Sequence, residues 1–177
     1  MPTFTVDLSQ QVAIVTGGGG DLGRAIAFAL AECGAAVTIN DLNPDRAEDT
    51  AQAINDKGGR AIDVQGDVSN RFQASAMIEA TRDAFDKVTI LVTAAGGYKA
   101  DAFDKIDEWD WRRQIDVMLT GTLFCTQFIG RVMGDQGTGG VIVNVASNVV
   151  NGTLAAGVGY VAAKHGIIGI SKQAARE

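Results

Sequence analysis

A chain of 177 residues with 46% hydrophobic and 20% charged side chains is long enough to bury a core and too apolar to stay disordered. Its formal net charge of −6, with basic residues scattered singly, argues against nucleic acid and an anionic membrane surface as principal partners. No apolar run reaches bilayer length, and Met1 to Gln11 lacks the basic start and apolar segment of a secretory leader, so a cytoplasmic protein is expected.

In chain order, short β-branched apolar runs alternate with longer stretches of helical period. Val12 to Val15 reads as a first strand, followed by a glycine-rich turn and a helix from Leu22 to Cys33. Ala35 to Ile39 is a second strand, Pro44 to Lys57 a helix, Ala61 to Val64 a third strand and Arg71 to Phe85 a helix. Thr89 to Val92 is the fourth strand, and a long helix runs from about Asp107 to Met133. Gly134 to Gly140 is a loop into the fifth strand, Val141 to Val145, and a last helix extends from about Gly159 to the chain end. Nearly continuous apolar strands suit a parallel sheet covered on both faces. The alternation predicts one domain: a Rossmann-type, doubly wound parallel β-sheet with helices on both faces, an α/β fold of three layers. Cys33 and Cys125 lie far apart in helical patterns, so neither a disulfide framework nor a metal site is expected.

The turn Thr16-Gly17-Gly18-Gly19-Gly20-Asp21-Leu22-Gly23 joins the first strand to the first helix. Glycines there permit a tight turn and close backbone approach to a pyrophosphate, over free amides at a helix N-terminus. A loop of the type that ends in Gly-Lys-Ser/Thr is ruled out, because Arg24-Ala25 follows Gly23. A plain strand-to-helix turn without a ligand is the bland alternative. Asp41, just after the second strand with Leu42 beside it, stands where a carboxylate grips an adenosine ribose and repels a 2′-phosphate. The nearest basic residue is Arg46, beyond Pro44, so NAD is expected over NADP; a turn or cap Asp is the alternative. Asp67 and the amide of Val68, after the third strand, are candidates for the adenine edge, although an Asp opening a turn or capping a helix explains the same residue.

Tyr160 and Lys164, four residues apart, share one helix face. A phenol titrates near ~10, so a neighbouring ammonium that favours the phenolate prepares it to exchange a proton with an alcohol oxygen. Ser147 lies at the end of the fifth apolar run. A strand-end hydroxyl bonded to its own backbone, and a Tyr–Lys pair snorkelling on a helix surface, are the alternatives. His165, the single histidine, points about 100° away from Lys164 on the helix and suits a surface or subunit contact.

With these residues in hand, the chain resembles the short-chain dehydrogenase/reductase family from Val12 to Glu177. The turn at Gly17, Gly19, Gly20, Asp21, Leu22 and Gly23 matches its cofactor loop, and Thr93-Ala94-Ala95-Gly96 resembles the segment that usually reads Asn-Asn-Ala-Gly. Asp41 and Asp67 match its ribose and adenine positions; Ser147, Tyr160 and Lys164 match its catalytic Ser, Tyr and Lys. The resemblance implies hydride transfer between NAD(H) and a secondary alcohol/ketone pair. Ser147 would hydrogen-bond the substrate oxygen, Tyr160 transfer its proton, and Lys164 bind the nicotinamide ribose and lower the Tyr160 pKa. It also implies a homodimer or homotetramer built on the two long helices, with Leu119, Leu123, Ile129 and Met133 as apolar contacts unless those side chains cover the sheet.

Three departures stand out. Asp21 occupies the usual place of the loop's second glycine, where a carboxylate repels pyrophosphate unless it turns outward or caps the helix. Met118 stands where the family carries a fourth catalytic residue, an Asn, and a thioether cannot donate. The chain stops inside its last helix, where the resemblance implies further strands and a substrate-covering segment; Val141 to Val145 is then expected to be an exposed edge strand. The alternative function is a dinucleotide-binding subunit of the same fold without effective turnover.

Overall fold

The computed structural model describes residues 6–97 and 99–177; the first five residues of the Met1–Gln11 stretch lie outside it. Five strands form, β1 Val12–Thr16, β2 Ala36–Asp41, β3 Arg60–Gln65, β4 Ile90–Thr93 and β5 Val141–Asn144. They make one sheet in the order β3-β2-β1-β4-β5, and every pairing is parallel. Helices α1 Asp21–Glu32, α2 Pro44–Asn55, α3 Arg71–Phe85, α4 Glu108–Ile115, α5 Gly121–Gln136 and α6 Val158–Arg176 connect and cover them.

Side chains of a strand alternate between faces, so β1 feeds two cores. Ala13 and Val15 pack with Val37, Ile39 and Val92 against Ala27 of α1 and Ala47, Ala51 and Ile54 of α2. Ile14 packs with Leu91 on the opposite face, against Met77 and Ile78 of α3 and Cys125, Ile129 and Met133 of α5. This is the expected three-layer α/β/α, doubly wound arrangement. Side-chain oxygens satisfy helix starts: Asn43 accepts from the Arg46 amide at α2, Asn70 from the Phe72 and Gln73 amides at α3, and Asp107 from the Asp110 amide at α4.

The long helix carries a feature that apolar period does not show. Between α4 and α5 the backbone widens into a π-turn, Asp116–Thr120, and Met118 within it is buried. Ile129 and Met133 face the sheet, and Leu119 lies against Gly166 of α6, where an added Cβ would sit 2.6 Å from its Cδ1. Of the four side chains considered as intersubunit contacts, only Leu123 is exposed. Val141 and Val143 of β5 are exposed on an edge that, among the described residues, pairs only with β4. No helix among the described residues is long and apolar enough to cross a membrane.

Register brings the loops together. Thr16 lies opposite both Asn40 and Thr93, and Thr93 lies opposite Asn144, so the C-terminal ends of β2, β1, β4 and β5 are level. The chain order reverses between β1 and β4, which opens a crevice over those ends where open α/β sheets bind ligands.

Candidate functional site

The glycine-rich turn is compressed against the segment after β4. Gly17 has φ +65°, and a Cβ there would lie 2.7 Å from the Ala95 Cα. A Cβ on Gly23 would lie 2.2 Å from the Gly17 carbonyl oxygen. Within the turn the Gly18 amide donates to the Asn40 carbonyl and the Gly20 amide to the Gly17 carbonyl. Among the described residues, the amides of Asp21, Leu22 and Gly23 have no acceptor, so the N-terminus of α1 presents three N–H groups at the sheet's C-terminal edge. Asp21 is exposed and makes no cap. The carboxylate that replaces the customary glycine therefore faces solvent. Across the crevice, the Ala94 and Ala95 amides both donate to the Thr16 hydroxyl, and a Cβ on Gly96 would sit 3.4 Å from the Met118 Cγ. Met118 thus lies directly beneath Gly96, filling the place with a thioether.

Asp41 is braced on both oxygens. Its Oδ2 accepts from the Gly19 amide at 3.0 Å and its Oδ1 from the Asn43 amide at 3.0 Å, which fixes the carboxylate beside the turn. Arg46 is remote from Asp41 in the amino-acid order only: a Cβ added to Gly19 would meet the Arg46 Cβ at 2.5 Å, so an exposed cation stands at the same corner.

A cavity of about 350 Å³ follows, lined by Gly17, Asp41, Leu42, Asp67, Val68, Ala95 and Gly96. It also takes in Lys99, Asp110, Arg113, Gln114 and Val117, none of which the motifs single out. Asp67 accepts from the Ser69 amide and hydroxyl on Oδ1, and Arg113 Nη1 donates to its Oδ2 at 2.8 Å. Partial burial raises the Asp67 pKa, but the Ser69 hydrogen bonds and Arg113 outweigh it and hold the carboxyl below its ordinary value. At the mouth, Lys99 pairs with the buried Asp110 and with Asp101. Asn40 donates to the Val64 and Gly66 carbonyls, which leaves its Oδ1 buried and unpartnered, as is Gln114 Oε1. The glycine cradle, the three free amides and the apolar walls of Leu42, Val68, Ala95 and Val117 fit a dinucleotide: anionic phosphates at the helix N-terminus and a flat base in the cavity.

A second cavity, of about 540 Å³, is lined by Ser147, Tyr160 and the turn between them. Ser147 ends the extended segment after β5. Its hydroxyl accepts from the Val149 amide at 3.3 Å and caps the 3₁₀ turn Asn148–Asn151. Tyr160 lies in the first turn of α6, and Lys164 one turn on is buried, its Nζ donating to the Val145 carbonyl at 2.6 Å. That Nζ is 5.6 Å from the centre of the Tyr160 ring. Burial lowers the Lys164 pKa from its ordinary value. The same edge is tied by Asn144, whose Oδ1 accepts from Thr93 and Thr126 and whose Nδ2 donates to Ser171 of α6. His165 is exposed and its Nδ1 meets the Val161 carbonyl. Among the described residues no cluster of His, Cys, Asp or Glu could hold a metal ion, and both cysteines are free thiols.

The family model for the short chain dehydrogenases matches residues 11–177. The chain belongs to the short-chain dehydrogenase family. It is 35% identical over 170 residues to the BbsD subunit of a substituted succinyl-CoA dehydrogenase of Thauera aromatica, covering 96% of this chain and 68% of the relative. It is 36% identical over 173 residues to the 3-oxoacyl-(acyl-carrier-protein) reductase of a Synechocystis species, covering 96% and 69%. With the D-threitol dehydrogenase of Mycolicibacterium smegmatis the identity is 34% over 174 residues, covering 98% and 66%. The chain spans about two thirds of the length of these relatives. Their names share oxidation or reduction and differ in substrate, as expected of a fold that hosts many specificities. As a member of this family, the chain is an oxidoreductase with a nicotinamide dinucleotide cofactor.

Proposed function

We propose that the chain is one NAD(H)-binding domain that interconverts a secondary alcohol and a ketone. The observation that supports it best is that Ser147 and Tyr160 line one cavity while Lys164 is buried behind the tyrosine, on the carbonyl of Val145. The cofactor, when bound, supplies or accepts the hydride. The chain's own residues do the rest. Ser147 Oγ donates to the substrate oxygen and orients it. The Tyr160 hydroxyl gives its proton to that oxygen in reduction and takes it back in oxidation. The Lys164 ammonium, 5.6 Å from the ring centre, stabilises the negative charge that builds on the phenol oxygen as the proton leaves. The free amides at Asp21, Leu22 and Gly23 would hold the pyrophosphate, and Lys164 the nicotinamide ribose.

NAD is the proposed dinucleotide because Asp41 places a braced carboxylate at the ribose position, where it accepts from hydroxyls and repels a 2′-phosphate. Arg46 at the same corner makes the choice a direct contest between one anion and one cation. Fluorescence titration with NADH and NADPH tests it: NADH should bind at least about tenfold more tightly, a difference of ~1.4 kcal/mol. Equal affinity would show that Arg46 offsets Asp41. A second reading, a dinucleotide-binding subunit without effective turnover, is favoured by Met118, which puts a buried thioether under Gly96 where the family has a polar side chain. Binding of NADH without turnover of any alcohol or ketone would support it. A cytoplasmic homodimer or homotetramer is proposed, with Leu123, Trp109 and Trp111 exposed along α4 and α5 as its apolar contacts.

A further inference from the structure

We infer, building on the dinucleotide reading above, that Arg113 is a positioning residue for the cofactor's base. Acting through Asp67, it aims a carboxylate oxygen at the base's exocyclic amino group, so that adenine is selected over a 6-oxo purine. Two adjacent arginines in the last turn of α4 have opposite surroundings. Arg112 pairs with Glu108 one turn back, its side chain 70% exposed, whereas Arg113 is 34% exposed and lines the cofactor cavity with Asp110, Gln114 and Val117. Arg113 takes no partner on its own helix and reaches the loop after β3 instead. Lys99, the other cation of that lining, is engaged by Asp110 and Asp101.

The Arg113 Nη1 donates to Asp67 Oδ2 at 2.8 Å and to the Ser69 hydroxyl at 3.3 Å. That hydroxyl and the Ser69 amide donate in turn to Asp67 Oδ1, at 2.6 and 2.9 Å. Arg113, Ser69 and Asp67 therefore close a ring of hydrogen bonds that fixes the plane of the carboxylate. The Asp67 amide, donating to Gln73 Oε1 at 2.7 Å, holds its backbone as well. An ionised carboxyl offers about four acceptor positions. Two on Oδ1 and one on Oδ2 are taken, which leaves one on Oδ2 of a residue that lines the cavity. Burial pulls the Asp67 pKa up, and the Ser69 bonds and Arg113 bring it below its ordinary value, so at neutral pH the group only accepts. An adenine amino group donates to such an oxygen. The carbonyl of a 6-oxo purine brings lone pairs of its own and is repelled. The next amide, that of Val68, has no acceptor among the described residues, and it supplies the donor for the ring nitrogen beside the amino group. Asn40 Oδ1 and Gln114 Oε1, buried without donors, belong to residues of the same lining and make it richer still in acceptors.

The test titrates the purified chain and Arg113→Met with NADH and with reduced nicotinamide hypoxanthine dinucleotide, following nicotinamide fluorescence. The two probes differ at the base, where hypoxanthine carries an oxygen in place of the amino group. The parent should bind NADH about tenfold more tightly than the hypoxanthine analogue. In Arg113→Met the NADH Kd should rise by about tenfold and the preference should shrink to within about twofold. The ratio is read only from binding-competent chains of one preparation, so a partly unfolded variant does not distort it. Equal weakening of both probes would show Arg113 to be a structural tie between α4 and the β3 loop, and would overturn the inference. So would a parent without preference, leaving the dinucleotide reading standing. A parent that binds neither probe would sink both. A double-mutant cycle gives a second measure. In an Asp67→Asn background, Arg113→Met should change the NADH Kd by less than about twofold, because the carboxylate through which it acts is gone. A further tenfold loss there would mean that Arg113 does not act through Asp67, and would overturn the inference.

Discussion

Gly23→Ala isolates the cofactor turn from the rest of the fold. Gly23 lies in the first turn of α1 with an ordinary helical φ, so backbone conformation does not forbid alanine. By helix propensity alone the change would stabilise by up to ~1 kcal/mol. What opposes it is space: the new methyl would lie 2.2 Å from the Gly17 carbonyl oxygen, 2.8 Å from its carbon and 3.0 Å from the Gly18 Cα, all backbone atoms. Normal contact requires the turn to retreat by roughly 1 Å, and Gly17 is itself wedged 2.7 Å (as a notional Cβ) from Ala95. Overpacking of this kind costs ~1–3 kcal/mol, so net stability should fall by no more than ~2 kcal/mol. Binding should suffer more. Displacing the turn misaims the amides of Asp21, Leu22 and Gly23, and each hydrogen bond to a charged group is worth ~1.5–3 kcal/mol. Losing two weakens NADH affinity by roughly a hundredfold or more. Gly130→Ala on α5 is the control, because nothing lies within 4 Å of its notional Cβ. It should raise stability by ~0.5–1 kcal/mol and leave NADH affinity alone. Urea denaturation and NADH fluorescence titration read both quantities. A Gly23→Ala chain that binds NADH within about threefold of the parent would refute the pyrophosphate cradle.

Three further outcomes are expected. Asp67 has a folded pKa below its unfolded value, so its contribution is present above the unfolded pKa, near ~3.9, and is lost as pH falls through the folded one. Asp67→Asn should therefore lower Tm at pH 7 and converge with the parent at acidic pH; a constant gap between the two melting curves would contradict the Arg113–Asp67 pair. Asn144→Leu strands the Thr93 and Thr126 hydroxyls at the β4–β5–α5 junction and should cost ~2 kcal/mol in urea denaturation, whereas a change within ~0.5 kcal/mol would show the network to be slack. Burial pushes the Cys125 thiol up to about 12, so a thiol reagent at pH 8 should modify the half-buried Cys33 and spare Cys125 until the chain unfolds; equal labelling of both in the folded chain would contradict the packing of α5.

Strands and helices were legible because a parallel sheet buried on both faces demands continuous apolar runs, and β1 and β4 are such runs. The glycine turn and the Ser147, Tyr160 and Lys164 positions were visible as local patterns at fixed offsets from those elements. Groups assembled across the fold were not. Arg113 meets Asp67 over 46 positions of sequence, and no spacing rule connects them. Asn40 lies just past the second predicted strand, yet β2 extends through it, and its amide bridges to the Val64 and Gly66 carbonyls and leaves a buried oxygen at the crevice. Arg46 looked distant from the ribose position because Pro44 intervenes, whereas α2 folds back and seats it against Gly19. The π-turn at Asp116–Thr120 changes no residue type and leaves the apolar stripe intact, so hydrophobic period cannot register it.

The proton transfer assigned to Tyr160 is the central claim, and Tyr160→Phe, compared with the parent for turnover and for NADH binding in one preparation, tests it most directly. kcat should fall by at least about a hundredfold while the NADH Kd stays within about threefold. Retained turnover in the variant would contradict it.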